Sequence, residues 1–170
     1  MRAVTPLGLR PIELGISVAV VTLDQISKAL VRSRLELYES VTVVPNLFDL
    51  TRVHNYGAAF GMLNAVDLPF KSAILAVIAV AALVALGWYA ANLPQSERLS
   101  RLGLSFILGG AAGNLIDRIA AGFVLDFVDV YWRGWHFWAF NVADAAITVG
   151  VALVILRLLG AGQHRVPRTV

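Results

Sequence analysis

Apolar residues run in four long blocks along this chain, and the polar residues that interrupt them fall near block ends. Ser72 to Ala91 carries no charge at all, with Lys71 before it and Asn92-Leu93-Pro94 after it. Ile12 to Leu35 holds Asp24 and Lys28, Leu99 to Ile119 ends in Asn114, Asp117 and Arg118, and Phe137 to Leu159 begins with Asn141 and Asp144. A helix that crosses a membrane needs about 20 mostly apolar residues. The pattern therefore predicts four spanning helices, over 12–35, 70–92, 99–119 and 137–159, within a single domain covering 1–170. The remaining segments, 36–69 and 120–136, share one side. Val41 to His54 is rich in β-branched residues, turns at Pro45-Asn46 and alternates weakly through Phe48 to Val53, which predicts a short hairpin or small sheet on the membrane surface.

Composition supports the same class. Hydrophobic residues make up 58% of the 170 and charged ones 15%, against about 25% charged in a soluble domain. A chain this small cannot hide so much apolar surface from water, so lipid is the expected solvent. The expectation is a mainly α, integral membrane fold with a small β-rich cradle outside the bilayer. The net charge is +3, but the basic residues sit at the edges of apolar runs and form no stripe for nucleic acid. With four spans both termini share a side. Arg2, Arg10, Arg98, Arg101, Arg157, Arg165 and Arg168 then lie together, and the positive-inside rule makes that side cytoplasmic. Arg32, Arg34, Arg52 and Arg133 on the other side are mixed with acids. No small-residue cleavage site follows the first apolar run, so it reads as an uncleaved first helix. Tyr131 to Trp138 is aromatic in the manner of interfacial anchors.

This topology puts Asp24, Lys28, Asn114, Asp117, Arg118, Asn141 and Asp144 at one level, near the outward helix ends. A charge at the centre of a membrane helix costs roughly 2.5–3.5 kcal/mol on insertion scales and turns toward the bundle interior. Three helices bearing that cost at the same depth point to a shared polar site. Each residue also has a plainer role. Asp24 and Lys28, at i and i+4, can form a structural ion pair. Gly109 and Gly113 form a small-xxx-small pair for helix contact. Asp117 and Arg118 can be an interfacial charge cluster. Asp144, at the start of a helix, can serve as a cap.

Asp126 lies in the apolar run Val124-Leu125-Asp126-Phe127-Val128, with Asp129 spaced one helical turn beyond as a competitor. Two carboxylates within about 3 Å share a proton. The ionised one can activate water while the protonated one donates to a carbonyl oxygen. The three histidines, His54, His136 and His164, form no metal-binding helix pair, there is no cysteine, and no phosphate-binding glycine loop is present. Neither a metal nor another cofactor is expected. Intramembrane acids also suit a proton-coupled transporter, or a channel subunit. Against that reading, the polar residues gather at one level and leave the span centres apolar.

Five segments, in order, resemble the lipoprotein signal peptidase (signal peptidase II) family: Asp24-Gln25-Ile26-Ser27-Lys28, Asn55-Tyr56-Gly57-Ala58-Ala59-Phe60, Gly109 to Arg118, Val124 to Asp129, and Phe140-Asn141-Val142-Ala143-Asp144. The resemblance implies an aspartyl endopeptidase of the bacterial inner membrane that removes the signal peptide of diacylglyceryl-modified prolipoproteins, just before the lipidated cysteine. It implies Asp126 and Asp144 as the catalytic pair, favours Asp126 over Asp129, and makes 41–60 a cradle over the site. Asn55, Gly57, Asn114, Arg118 and Asn141 would position substrate or support the pair, with Asp24, Lys28 and Asp117 as further support. Membrane lipid is an expected partner, and a monomer suffices.

Overall fold

A computed structural model describes residues 8–57, 66 and 68–162. Ala58, Ala59 and Phe60 of the second motif lie outside the described residues. Four helices, α1 (Pro11–Arg34), α2 (Lys71–Asn92), α3 (Arg98–Ala121) and α4 (Val142–Gly162), accompany four strands, β1 (Ser40–Val44), β2 (Phe48–Asn55), β3 (Val124–Trp132) and β4 (Trp135–His136). All four helices are long and apolar enough to cross a membrane. Their surfaces agree: Ile74, Val77, Ile78 and Val84 of α2 are exposed, as are Ile155, Leu156 and Leu158 of α4. Apolar faces of this extent are left outside a core where lipid covers them.

Helix α3 is the centre of the bundle and packs against the other three. Its glycines make that possible. A Cβ at Gly103 would lie 2.6 Å from the Gly150 carbonyl oxygen, and one at Gly110 would lie 2.4 Å from that of Ala143. Both are backbone-to-backbone approaches of α3 and α4, which only small residues permit. Gly109 makes the matching approach to Ser17 on α1. Helix α3 ends at Gly122, whose φ of 81° closes the last turn with a bond from its N–H to the Arg118 carbonyl.

The strands form one antiparallel sheet in the order β1-β2-β3-β4. The expected hairpin is present: β1 pairs with β2, and Asn46 takes a left-handed φ of 63° in the turn. Strand β2 then pairs with β3, with Val53 opposite Asp126 and Asp49 opposite Asp129. Val31 of α1 meets Leu125 and Phe127 in a small apolar core that seats the sheet on the helix ends.

Two expectations need correction. Residues 137–141, assigned to the fourth span, are not helical: Phe140 bridges Val128, and α4 begins at Val142. A short apolar run cannot tell strand from helix by its composition. Here pairing with β3 satisfies its backbone, and Asn141 starts the helix. The segment 124–132 is likewise a strand, so Asp126 and Asp129 are not a helical turn apart. The β2–β3 pairing shifts register between these two positions, so strand alternation does not decide their faces. Asp129 instead lies 2.9 Å from His136 Nδ1.

A second buried polar group sits at the end of the bundle away from the sheet, where the sequence suggested only flanking charges. Arg101 forms a bidentate pair with Glu13, both contacts at 2.6 Å, and donates to the carbonyls of Ala90, Leu93 and Gly8. Arg10 reaches Gln95 nearby.

Candidate active site

At the sheet end, β3 and the first turn of α4 each deliver one aspartate to a common cavity. The cavity has a volume of about 660 Å³ and is lined by Asp126, Asp144, Asn55, Asn114 and Arg118 among mostly apolar groups. Phe137, Phe140, Ile147 and Val149 form part of its wall, and α2 contributes Ala79.

Asn141 is the N-cap of α4. Its side-chain oxygen accepts the Asp144 N–H at 3.0 Å, while an Asp144 oxygen accepts the Asn141 N–H at 3.2 Å. This is a reciprocal capping box, so the capping role foreseen for Asp144 is real and uses one carboxylate oxygen. The other oxygen accepts from Asn114 Nδ2 at 2.8 Å. Asp126 is held in a similar way, by Asn141 Nδ2 at 2.7 Å on one oxygen and Asn55 Nδ2 at 3.0 Å on the other. Asn141 therefore touches both aspartates. Asp126 is buried, and that desolvation, followed by the nearby charge of Asp144, raises its pKa to about 7 from 3.8.

The cradle meets this pair through Asn55 and Gly57. Asn55 Oδ1 accepts the Gly57 N–H at 2.9 Å, and the Gly57 carbonyl accepts from Arg118 at 3.1 Å. Arg118 also donates to the Asn114 carbonyl at 3.3 Å. It does not pair with its neighbour Asp117.

Behind the pair lies a second, fully buried layer. Lys28 Nζ donates to Asp24 at 2.7 Å, to Asn114 Oδ1 at 3.0 Å, and forms an ion pair with Asp117 at 2.8 Å. Asp24 accepts the Ala143 N–H at 3.0 Å, and Asp117 accepts the Leu125 N–H at 3.2 Å. All ten sequence-derived site residues are thus joined in one network. Gln25, which the sequence did not single out, ties Asp24, Asp117 and the Gly113 carbonyl together. Its only signal was its place inside the first-helix motif. The cavity wall from Phe137 to Phe140 was also missed, because that run read as helix. Among the described residues, no three His, Asp or Glu side chains are grouped to hold a metal ion.

Known proteins with similar sequences and structures agree on one family. The family model for signal peptidase (SPase) II matches residues 16–160. The lipoprotein signal peptidase of Maridesulfovibrio salexigens is 44% identical over 141 residues, covering 83% of this chain and 90% of that protein. That of Geobacter metallireducens is 45% identical over 137 residues, covering 81% and 83%. A bacterial membrane enzyme solved by the in meso method at 2.3 Å resolution superposes with a TM-score of 0.84 at 30% identity, over 97% of this chain and 98% of that one. A second, at 1.9 Å, gives 0.80 at 29% identity, over 91% and 97%. The chain belongs to the signal peptidase II family, and is a membrane-embedded peptidase.

Proposed function

We propose that this protein is an aspartyl endopeptidase that cuts diacylglyceryl-modified prolipoproteins just before the lipidated cysteine, with Asp126 and Asp144 as its catalytic pair. The observation that carries this is the convergence of two carboxylates, each held by neutral amides, on the wall of one mostly apolar cavity. Asp126, whose burial raises its pKa to about 7, supplies the shared proton in this reading, and Asp144 acts as the base. Asp144 takes a proton from water as the water oxygen attacks the scissile carbonyl carbon. Asp126 gives its proton to the carbonyl oxygen, forming a neutral tetrahedral diol. When the C–N bond breaks, Asp144 returns its proton to the leaving amine, which becomes the α-amino group of the cysteine. A diol hydroxyl gives its proton back to Asp126 as the new carboxyl group forms. The dyad ends with the one proton it began with.

The substrate's acyl chains and signal-peptide helix suit the apolar walls at Phe137, Ile147 and Val149. Asn55, Gly57 and Arg118 stand at the cradle side, where they would orient the peptide backbone. In this reading the sheet end faces outward, both termini are cytoplasmic, the enzyme acts as a monomer, and the substrate arrives laterally through the lipid of the inner membrane.

The test is cleavage of a diacylglyceryl-modified prolipoprotein in lipid, with chelator present. Wild type is compared with Asp126→Asn, Asp144→Asn and Asp129→Asn. Cutting before the lipidated cysteine is expected for wild type and Asp129→Asn, and loss of cutting for the other two, which remain folded. Comparable activity in a folded Asp126→Asn or Asp144→Asn protein would remove the dyad from the mechanism.

A further inference from the structure

We infer that Lys28 sets the separation of Asp126 and Asp144, as the positioning residue of the dyad. The inference rests on the aspartyl reading and adds to it the part that fixes the geometry. An ammonium has three N–H donors, and each of the three acceptors around Lys28 leads to the dyad. Asp24 holds the backbone N–H of Ala143, the residue before Asp144. Asp117 holds the backbone N–H of Leu125, the residue before Asp126. Asn114 bonds Asp144 itself at 2.8 Å. One side chain of α1 thus spaces the first turn of α4 from strand β3.

The third contact also fixes an orientation. With its oxygen turned to the ammonium, the Asn114 amide has its N–H donors toward Asp144 and none toward Lys28. Lys28 is 1% exposed, Asp24 0% and Asp117 3%, so water is not there to take over if the ammonium is lost. A lysine needed only to neutralise Asp24 and Asp117 inside the bilayer would require neither the bond to Asn114 nor partners that grip the residues preceding both aspartates.

The charged groups around Asp126 are Asp144 from α4, Lys28 from α1 and Arg118 from α3, with Asp24 and Asp117 held on Lys28 behind them and the amides of Asn55 and Asn141 in contact. The positive charge of Lys28 lowers the affinity of Asp126 for its proton. Removing it moves the loss of that proton to higher pH.

The experiment compares wild type, Lys28→Met, Lys28→Gln and Asp126→Asn, reconstituted in lipid, with a diacylglyceryl-modified prolipoprotein as substrate. Folded fraction is measured by thermal unfolding, and kcat and KM are taken per folded molecule across pH. Misplacement of reacting groups by about 1 Å costs on the order of 100-fold, so kcat is expected to fall by about that factor in Lys28→Met. KM should change little, and the alkaline limb of activity should move upward. Gln keeps two N–H donors without the charge, so Lys28→Gln should recover part of kcat while keeping the shifted limb. A lysine that only holds the fold together would reduce the folded fraction and leave both kcat and the limb in place. That result, or failure of both variants to fold, overturns the assignment. If Asp126→Asn is inactive while the Lys28 variants match wild type, only this assignment falls. If Asp126→Asn still cuts, the aspartyl reading falls first and takes it along.

Discussion

Replacing Gly110 by alanine tests whether helix packing holds the candidate dyad in place. The new Cβ would lie 2.4 Å from the Ala143 carbonyl oxygen and 2.8 Å from Ile147 Cγ1, whereas ordinary contact begins near 3.4 Å. The deficit against the backbone is about 1 Å, and a carbonyl inside a helix cannot swing aside as a flexible side chain would. The first turn of α4 has to move, and Ala143 is the residue directly before Asp144. Overpacking of this kind costs about 1–3 kcal/mol of stability. The loss in kcat should be on the order of 100-fold for a 1 Å displacement of a reacting group, a barrier increase of about 2.7 kcal/mol. Gly87 is the control. It lies on α2 with open space, nothing within 4 Å, where a Cβ would stand. Alanine there should stabilise the helix by up to about 1 kcal/mol and leave kcat alone. Both variants would be followed by thermal unfolding in detergent and by kcat and KM on lipidated substrate. A folded Gly110→Ala protein with kcat within about threefold of wild type would refute the argument that α3–α4 contact fixes the dyad.

Activity should fall as pH rises above about 7, where Asp126 loses the proton it would contribute to the proposed pair. Its pKa is raised, so the protonated form persists through the usual carboxylate range. The drop should be about tenfold per pH unit beyond the limb, and Asp144→Asn has no activity on which to see it. Arg101→Met should cost about 3–5 kcal/mol, because Glu13 and three carbonyls lose a buried partner. Since the change lies at the other end of the bundle, kcat per folded molecule should be preserved. Thermal unfolding of Arg101→Met, Glu13→Gln and the double variant should show the pair to be non-additive.

Much of this arrangement was legible because lipid makes polar residues conspicuous. Asp24, Lys28, Asn114, Asp117, Asn141 and Asp144 each interrupt an apolar block, and the network joins all six. The hairpin at Pro45-Asn46 was legible from turn chemistry. Strand β3 was not. Val124 to Trp132 is apolar around Asp126 and buried on both faces at its start, so it lacks the alternation that marks a strand. The error had a chemical consequence: helical spacing made Asp129 a rival to Asp126, whereas the structure sets Asp129 against His136 and leaves it off the cavity wall. The Glu13–Arg101 pair was hidden for a different reason. Arginines beside an apolar run signal topology statistically, and no local pattern reveals that one of them turns inward to cap the end of α2.

The two buried polar knots differ as a structural ion pair and the proposed reactive site should. At the end away from the sheet, every Arg101 nitrogen has an anionic or carbonyl partner, and Glu13 is gripped at both oxygens. Moving a proton there would break an ion pair in a low-dielectric setting, which is costly. At the sheet end the direct partners of Asp126 and Asp144 are the amides of Asn55, Asn114 and Asn141, which are neutral donors. Amides fix the position of a carboxylate while holding its charge less firmly than an ammonium would. Lys28 stands one bond further back, joined to the Asp144 carboxylate through Asn114. The cation can therefore order the site without locking either aspartate in the ionised state. A direct Lys–Asp contact would hold one carboxylate ionised and end proton sharing, and an all-neutral surround would leave the first turn of α4 unanchored. For the proposed dyad, placing the charge one amide away meets both needs, with three asparagines supplying the neutral contacts.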